Sequence, residues 1–221
     1  MPDRARPPRL LVTGFGPFPS APQNPTAELI EWLGGSSANL SRLEADIVTA
    51  VFPTEWNALI GLHNRLIEEH QPDIAIHFGV HGRANGFHVE QLARNWRCAR
   101  ADASGERSAP SPVLAGQPLQ LRTPYPADRL AVHLRRRRLP ASLSSDAGLY
   151  LCNMAYYLSL ARCHGDGQLA SALFVHVPPV SARGTSKSAE ARAKSQLRRC
   201  ALAVIDHAVS ELRKPALGLP A

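Results

Sequence analysis

Cys152, His176 and Glu90 are the three residue types that together make a thiol hydrolase, and each stands in a segment whose packing does not require it. A cysteine attacks a carbonyl carbon as its thiolate, so it needs a base to take its proton and a local field that favours the anion. Cys152 lies in the run Ser144-Ser145-Asp146-Ala147-Gly148-Leu149-Tyr150-Leu151-Cys152-Asn153. With Ser145 or Asp146 as cap, a helix starts just before the thiol and places it in the first two turns. There the macrodipole favours a thiolate, and backbone N–H groups of the same helix end can bind an oxyanion. The plain alternative is a small core residue, because Cys152 also falls in an apolar stripe. His176, in Leu173-Phe174-Val175-His176-Val177-Pro178-Pro179, ends an apolar strand that two prolines terminate. That sets its imidazole at the rim of a sheet, the edge where α/β folds gather catalytic groups. Glu90 alternates with His88 and Leu92, so a single strand there turns all three to one face. A carboxylate so placed can orient an imidazole, the third role in a thiol triad.

Other chemistries fit less well. His77, His81 and His88 match no metal-ligand spacing, so neither a metal nor a cofactor is expected. Gly14-Phe15-Gly16 has neither the spacing of a dinucleotide fingerprint nor the lysine of a P-loop.

The elements that must position these residues alternate between strand and helix. Arg9 to Thr13, Ala45 to Phe52, Asp73 to Gly79 and Ser171 to Val177 read as strands, with Phe87 to Leu92 as a further one. Asn24-Pro25-Thr26 carries a cap and a first-turn proline, and its helix runs to about Leu33 before Gly34-Gly35. Trp56, Leu59, Ile60, His63, Leu66 and Ile67 recur at helical spacing until Pro72. Leu130 to Arg138 reads as helical, and Leu149, Cys152, Asn153, Tyr156, Tyr157 and Leu160 line one face of another helix. Lys187 to Leu212 is one long amphipathic helix. Between Ala101 and Pro126 the periodicity dissolves, which we read as a long surface excursion. The expected fold is therefore a three-layer α/β/α sandwich with a mixed, largely parallel sheet. It forms a single domain over 1–221, with flexible ends at 1–8 and 213–221.

Composition bounds the rest. The chain has 221 residues, 44% hydrophobic and 19% charged, enough for one sizeable core. No apolar run approaches a membrane span, and Leu10 to Val12 is too short for a signal segment, which points to the cytoplasm and away from membranes. Cys98, Cys152, Cys163 and Cys200 form no CxxC pair and read as free thiols. The net charge of +7 raises nucleic-acid binding as a possibility. Arg135 to Arg138, however, would point about 100° apart on a helix, with no aromatic residues between them to stack bases. A solvated helix end accounts for them better, and no nucleic-acid partner is expected.

Taken in order, Gly14-Phe15-Gly16-Pro17-Phe18, Asn24-Pro25-Thr26, the segment Glu90…Ala93…Asn95, Tyr150-Leu151-Cys152-Asn153 and Phe174-Val175-His176-Val177-Pro178 resemble the signatures of the pyroglutamyl peptidase I (pyrrolidone-carboxylate peptidase) family. The matches span Val12 to Pro178. The resemblance implies a fold similar to purine nucleoside phosphorylases, Cys152 as nucleophile, His176 as base and acid, and Glu90 orienting it. It further implies a lactam pocket walled by Phe15, Phe18 and Tyr150, with Thr54 and Leu151 contributing and Arg100 near the oxyanion. The implied partners are peptides bearing an N-terminal pyroglutamate, and a second copy of the chain in a dimer or tetramer. Tyr150 stands where the family often has phenylalanine, Ala101 where it often has a larger aliphatic residue, and Val80 where many members have glutamine. A thiol amidohydrolase acting on another small lactam or amide, and a ligand-binding relative without turnover, are the competing functions.

Overall fold

Seven-residue apolar strands and amphipathic helices succeed one another along the chain, and pairing the strands buries both faces of one sheet. The computed structural model describes residues 6–18, 21–35, 40–165, 167–180 and 186–214. Its strands are β1 (Arg9–Phe15), β2 (Asp46–Phe52), β3 (Ile74–Val80), β4 (Phe87–Glu90), β5 (Leu92–Arg94), β6 (Gln120–Arg122), β7 (Ala141–Ser144) and β8 (Ser171–Val177). Its helices are α1 (Pro25–Gly35), α2 (Trp56–His70), α3 (Ala127–Arg136), α4 (Leu151–His164) and α5 (Lys187–Leu212). The main sheet runs β2-β1-β3-β8-β4-β7, and β5 pairs with β6 apart from it. Every pairing in the main sheet is parallel except β4 with β8. The fold is thus the mixed, mostly parallel α/β sandwich that the alternation of elements implies.

Period-two alternation divides the side chains of each strand between two cores. Leu10, Val12, Ile76, Phe78, Val89, Leu173, Val175 and Val177 pack against α1, α3 and α5. Leu11, Phe15, Ala75, Ala172 and Phe174 face α2 and α4. Glu90 and His176 belong to this second face, because Val89, Val175 and Val177 take the first.

Four expectations are corrected. The strand expected from Phe87 to Leu92 breaks at Gln91: β4 stays in the main sheet and Leu92 leaves with β5. Leu92 therefore does not share a strand face with Glu90. The excursion from 101 to 126 is not merely superficial. It contains β6, buries Val113 and Leu121 in the core around α4, and returns Asp102 to accept the Trp56 N–H at the start of α2. Residues 6–8 of the expected tail are fixed, with Arg6 forked onto Asp73 at 2.6 and 2.9 Å, while 1–5 and 215–221 lie outside the described residues. Finally, neither Ser145 nor Asp146 caps the nucleophile helix, whose N-cap is Tyr150 with no side-chain capping bond. Asp146 accepts from Arg94 and from the Gly148 N–H instead. Arg135 to Arg138 do sit at a helix end, since α3 stops at Arg136, and Arg137 pairs with Asp206. Among the described residues, no helix is long and apolar enough to cross a membrane.

Candidate active site

The one antiparallel pairing in the main sheet brings the acid to the base. The β4–β8 register sets His88 opposite His176 and Glu90 opposite Phe174. Glu90 Oε1 then lies 2.7 Å from His176 Nδ1, and both side chains are buried. The imidazole's other hydrogen-bond partner is the Cys152 thiol. Burial opposes a charge on His176, but the bonds to Cys152 and Glu90 outweigh it and hold the imidazole up at about 9. An imidazolium at neutral pH is a counter-ion for a thiolate. Glu90 Oε2 is buried without a hydrogen-bond partner among the described residues, so the imidazolium is the group that compensates this carboxylate.

Because α4 begins at Leu151, Cys152 is its second residue, closer to the helix start than a cap at 145 or 146 would put it. With no side chain capping that end, the first N–H groups of α4 remain available to an anion. Asn153 turns its amide away to accept from the Arg94 N–H and donate to the carbonyls of Arg94 and Trp96. This clamps α4 to the strand that follows Glu90. Tyr156 does the same one turn on, donating to the Glu90 carbonyl at 2.8 Å.

Gly79, at the end of β3 and opposite His176, is the floor beneath the thiol. A Cβ there would stand 2.7 Å from the Phe174 ring and 2.9 Å from Cys152 Sγ. Phe174 is fully buried, so the thiol is the group that would give way. We expect Gly79→Ala to lower kcat/KM about 100-fold, the loss typical of a reacting atom misplaced by about 1 Å. Steady-state kinetics beside a melting curve checks this; wild-type turnover in a folded Gly79→Ala protein would show that the thiol has room to spare.

The thiol opens into a cavity of about 930 Å³. Of the residues the family resemblance assigns to the pocket, Phe18, Arg100 and Tyr150 line it. Tyr150 is fixed from several sides: its ring lies 6.3 Å from Phe18 and 5.1 Å from Trp56, and the Arg100 guanidinium stacks 5.0 Å above it. Its hydroxyl, absent from a phenylalanine, donates to the Ala101 carbonyl at 3.0 Å. Phe15, Thr54 and Leu151 are buried and are not among the lining residues. Phe15 packs on Phe52 and on Phe174, which in turn lies 4.7 Å from the His176 ring. Thr54 donates to the Pro17 carbonyl, holding the loop that presents Phe18. Gly14, whose Cβ would collide with the Thr26 carbonyl, lets α1 close on this loop, and Asn24 Nδ2 holds the Gly16 carbonyl at 3.0 Å. The Asn-Pro-Thr signature therefore acts as scaffold.

Several residues of the site carried no catalytic expectation, His81 having been weighed only as a metal ligand and Val80 only as a departure from the family pattern. His81 and Arg83 line the cavity, and the His81 ring stands edge-on to His176 at 5.4 Å. Val80, one of the departures from the family pattern, also lines it. Beneath the site a buried relay runs Thr13–His77–Ser159–His63, with contacts of 2.7, 2.8 and 2.9 Å. Burial pushes His77 down to about 3 and His63 to about 4, so both are neutral pins joining β3 and α2 to α4. Their apolar neighbours in sequence give no sign of this relay. Among the described residues no three His, Cys, Asp or Glu side chains are grouped as a metal site.

Comparison with known proteins identifies the family. The family model for pyroglutamyl peptidase matches residues 8–210. The pyrrolidone-carboxylate peptidase of Pyrococcus furiosus is 33% identical over 171 residues, covering 77% of this chain and 80% of the relative. Pyrrolidone-carboxylate peptidase 1 of Ralstonia nicotianae is 33% identical over 180 residues, with coverage of 80% and 82%. The crystal structure of the Pyrococcus furiosus pyrrolidone carboxyl peptidase superposes with a TM-score of 0.81 at 28% identity, covering 92% of this chain and 99% of that one. With nearly its whole length matched by the family model and its α/β sheet superposing on a solved member, this chain belongs to the pyroglutamyl peptidase family of cysteine peptidases.

Proposed function

We propose that this chain hydrolyses the amide bond that follows an N-terminal pyroglutamyl residue, with Cys152 as nucleophile, His176 as base and acid, and Glu90 as the group that orients it. One observation carries the reading: a thiol and an imidazole open into a cavity with no aspartate or glutamate among its described lining residues. An ordinary peptide amino terminus is an ammonium, and desolvating it unpaired costs several kcal/mol. A lactam brings no such charge. Family membership and the names of the relatives support the same substrate.

In the first half-reaction Cys152 Sγ attacks the pyroglutamyl carbonyl carbon and a C–S bond forms. The oxyanion faces the N–H groups at the start of α4. His176 then gives its proton to the leaving nitrogen, the C–N bond breaks, and the shortened peptide departs from a thioester. In the second half-reaction His176 takes a proton from water, which attacks the thioester and releases pyroglutamate and the thiol. Phe18 and Tyr150 form the apolar wall for the lactam, with Arg100 at their edge. Phe15, Thr54 and Leu151 shape that wall from behind.

The test is kcat/KM on pyroglutamyl, prolyl and glutaminyl amides. Proline lacks the lactam carbonyl and carries an ammonium, so we expect discrimination on the order of 10²–10⁴-fold in favour of pyroglutamate. Comparable values for prolyl and pyroglutamyl amides would overturn the lactam reading and favour a broader thiol amidohydrolase.

A further inference from the structure

Beyond the lactam, the cavity extends past His176, and what lies there bears on which peptides are processed. Resting on the reading above, we propose that this side of the site selects substrates with a carboxylate immediately after the scissile bond, and that Arg83, with His81 beside it, receives that carboxylate. The direction follows from the chemistry. His176 must protonate the leaving nitrogen, so the leaving group lies along the imidazole's side of the thiol. The His81 ring stands 5.4 Å from the His176 ring, and Arg83, two residues on from His81, also lines the cavity.

This wall is held to the catalytic strand. The His81 N–H donates to the Val177 carbonyl at 2.9 Å, and the Ala84 N–H closes a tight turn onto the His81 carbonyl at 2.9 Å. His81 and Arg83 are thereby carried on a turn bonded to the end of β8, one residue beyond the catalytic histidine. Partial burial, and then the charge on His176, hold the His81 imidazole below its ordinary value. It is therefore a neutral N–H donor when His176 is charged, and Arg83 supplies a fixed positive charge beside it. Arg83 is exposed and makes no ion pair among the described residues. Among the described lining residues are two arginines and two histidines and no carboxylate; Glu90, which lies behind the wall, answers His176 alone. Of the two arginines among the described lining residues, Arg100 stacks on Tyr150, whereas Arg83 shares its turn with His81. A guanidinium presents paired donors that suit a carboxylate. Two sources supply one: the free C-terminus of a pyroglutamyl dipeptide, or an acidic second residue of a longer peptide.

The experiment compares kcat/KM for pyroglutamyl-alanine, pyroglutamyl-alanine amide and pyroglutamyl-glutamate amide with wild type and Arg83→Gln. We expect at least one acid to exceed the alanine amide about 10-fold in wild type, the size of one charge-assisted contact. The ratio should collapse toward one in Arg83→Gln and shrink in wild type at high salt. Preference for the free acid alone identifies dipeptides as the favoured class, and preference for the glutamate amide alone identifies an acidic second residue; either supports the inference. Equal rates on all three in wild type, or an unaltered ratio in Arg83→Gln, overturn it. Absence of turnover on every pyroglutamyl substrate would instead overturn the proposed activity, so the two failures are distinct.

Discussion

Cys152→Ala should lose hydrolysis of a pyroglutamyl amide by on the order of 10⁵–10⁶-fold in kcat, with its melting temperature close to that of wild type. The magnitude is that of deleting a nucleophile whose partners act only through it. Stability should barely move, because Cys152 is only partly buried and the substitution removes a single atom facing the cavity. The same thiol should be the first alkylated by iodoacetamide near neutral pH. Of the other free cysteines, Cys200 is fully buried and its burial pushes the thiol far up, while Cys163 donates to the Ser159 carbonyl inside its own helix. Cys98 also lines the cavity, but it lies outside the helix start that favours a thiolate at Cys152. Peptide mapping after brief alkylation tests the order. Retained turnover in Cys152→Ala would end the thiol mechanism.

Glu90→Gln should lower kcat by on the order of 10²–10⁴-fold with a smaller effect on KM, since the carboxylate acts on a charge that matters most in the transition state. Its more diagnostic effect is on pH. Glu90 raises His176, and the wild-type imidazole holds its proton until about 9. The wild-type alkaline limb of kcat/KM should therefore fall as pH rises through about 9. Removing the negative charge removes one of the causes of the rise, so the limb moves to lower pH in Glu90→Gln. Linkage gives the same sign for stability. The folded value lies above the ordinary 6.5, so the stabilisation from this charge is complete below 6.5 and is lost as pH rises through about 9. A role in packing alone would lower activity without moving the limb. An unshifted profile in a folded Glu90→Gln protein would reduce Glu90 to a structural residue.

Cys152 and His176 stood out as candidates because each sits where a short-range signal is strong. His176 precedes two prolines, and Cys152 precedes a run of good helix formers. β8 and the helix from Lys187 to Leu212 have the bounds that periodicity gives them. Signals failed where tertiary contacts override local ones. Gln91 ends β4 because its N–H and carbonyl are taken by Ser144 and Thr123, partners far away in sequence. Tyr150 begins α4 although Ser145 and Asp146 are the better caps, since Asp146 is drawn to Arg94. Phe15 was expected at the pocket surface, yet strand parity turns it into the core with Phe174. His81 was weighed only as a metal ligand with His77 and His88, and Arg83 was passed over, because one histidine and one arginine in a Gly-rich turn carry no spacing rule. Their significance comes from β3 and β8 being neighbours.

The place of β8 also governs when the activity can appear as the chain is made. β8 lies between β3 and β4, and the contact it supplies joins residues 86 apart, from Glu90 to His176. Until Ser171–Val177 has emerged and inserted, β4 has no route to the rest of the main sheet, and Glu90 and Cys152 have no imidazole between them. The loop that must close is long, so this insertion is a late and entropically costly step. On the proposed mechanism, a chain that stops short of β8 is expected to be catalytically silent, its thiol gaining a base only once the core has been synthesised.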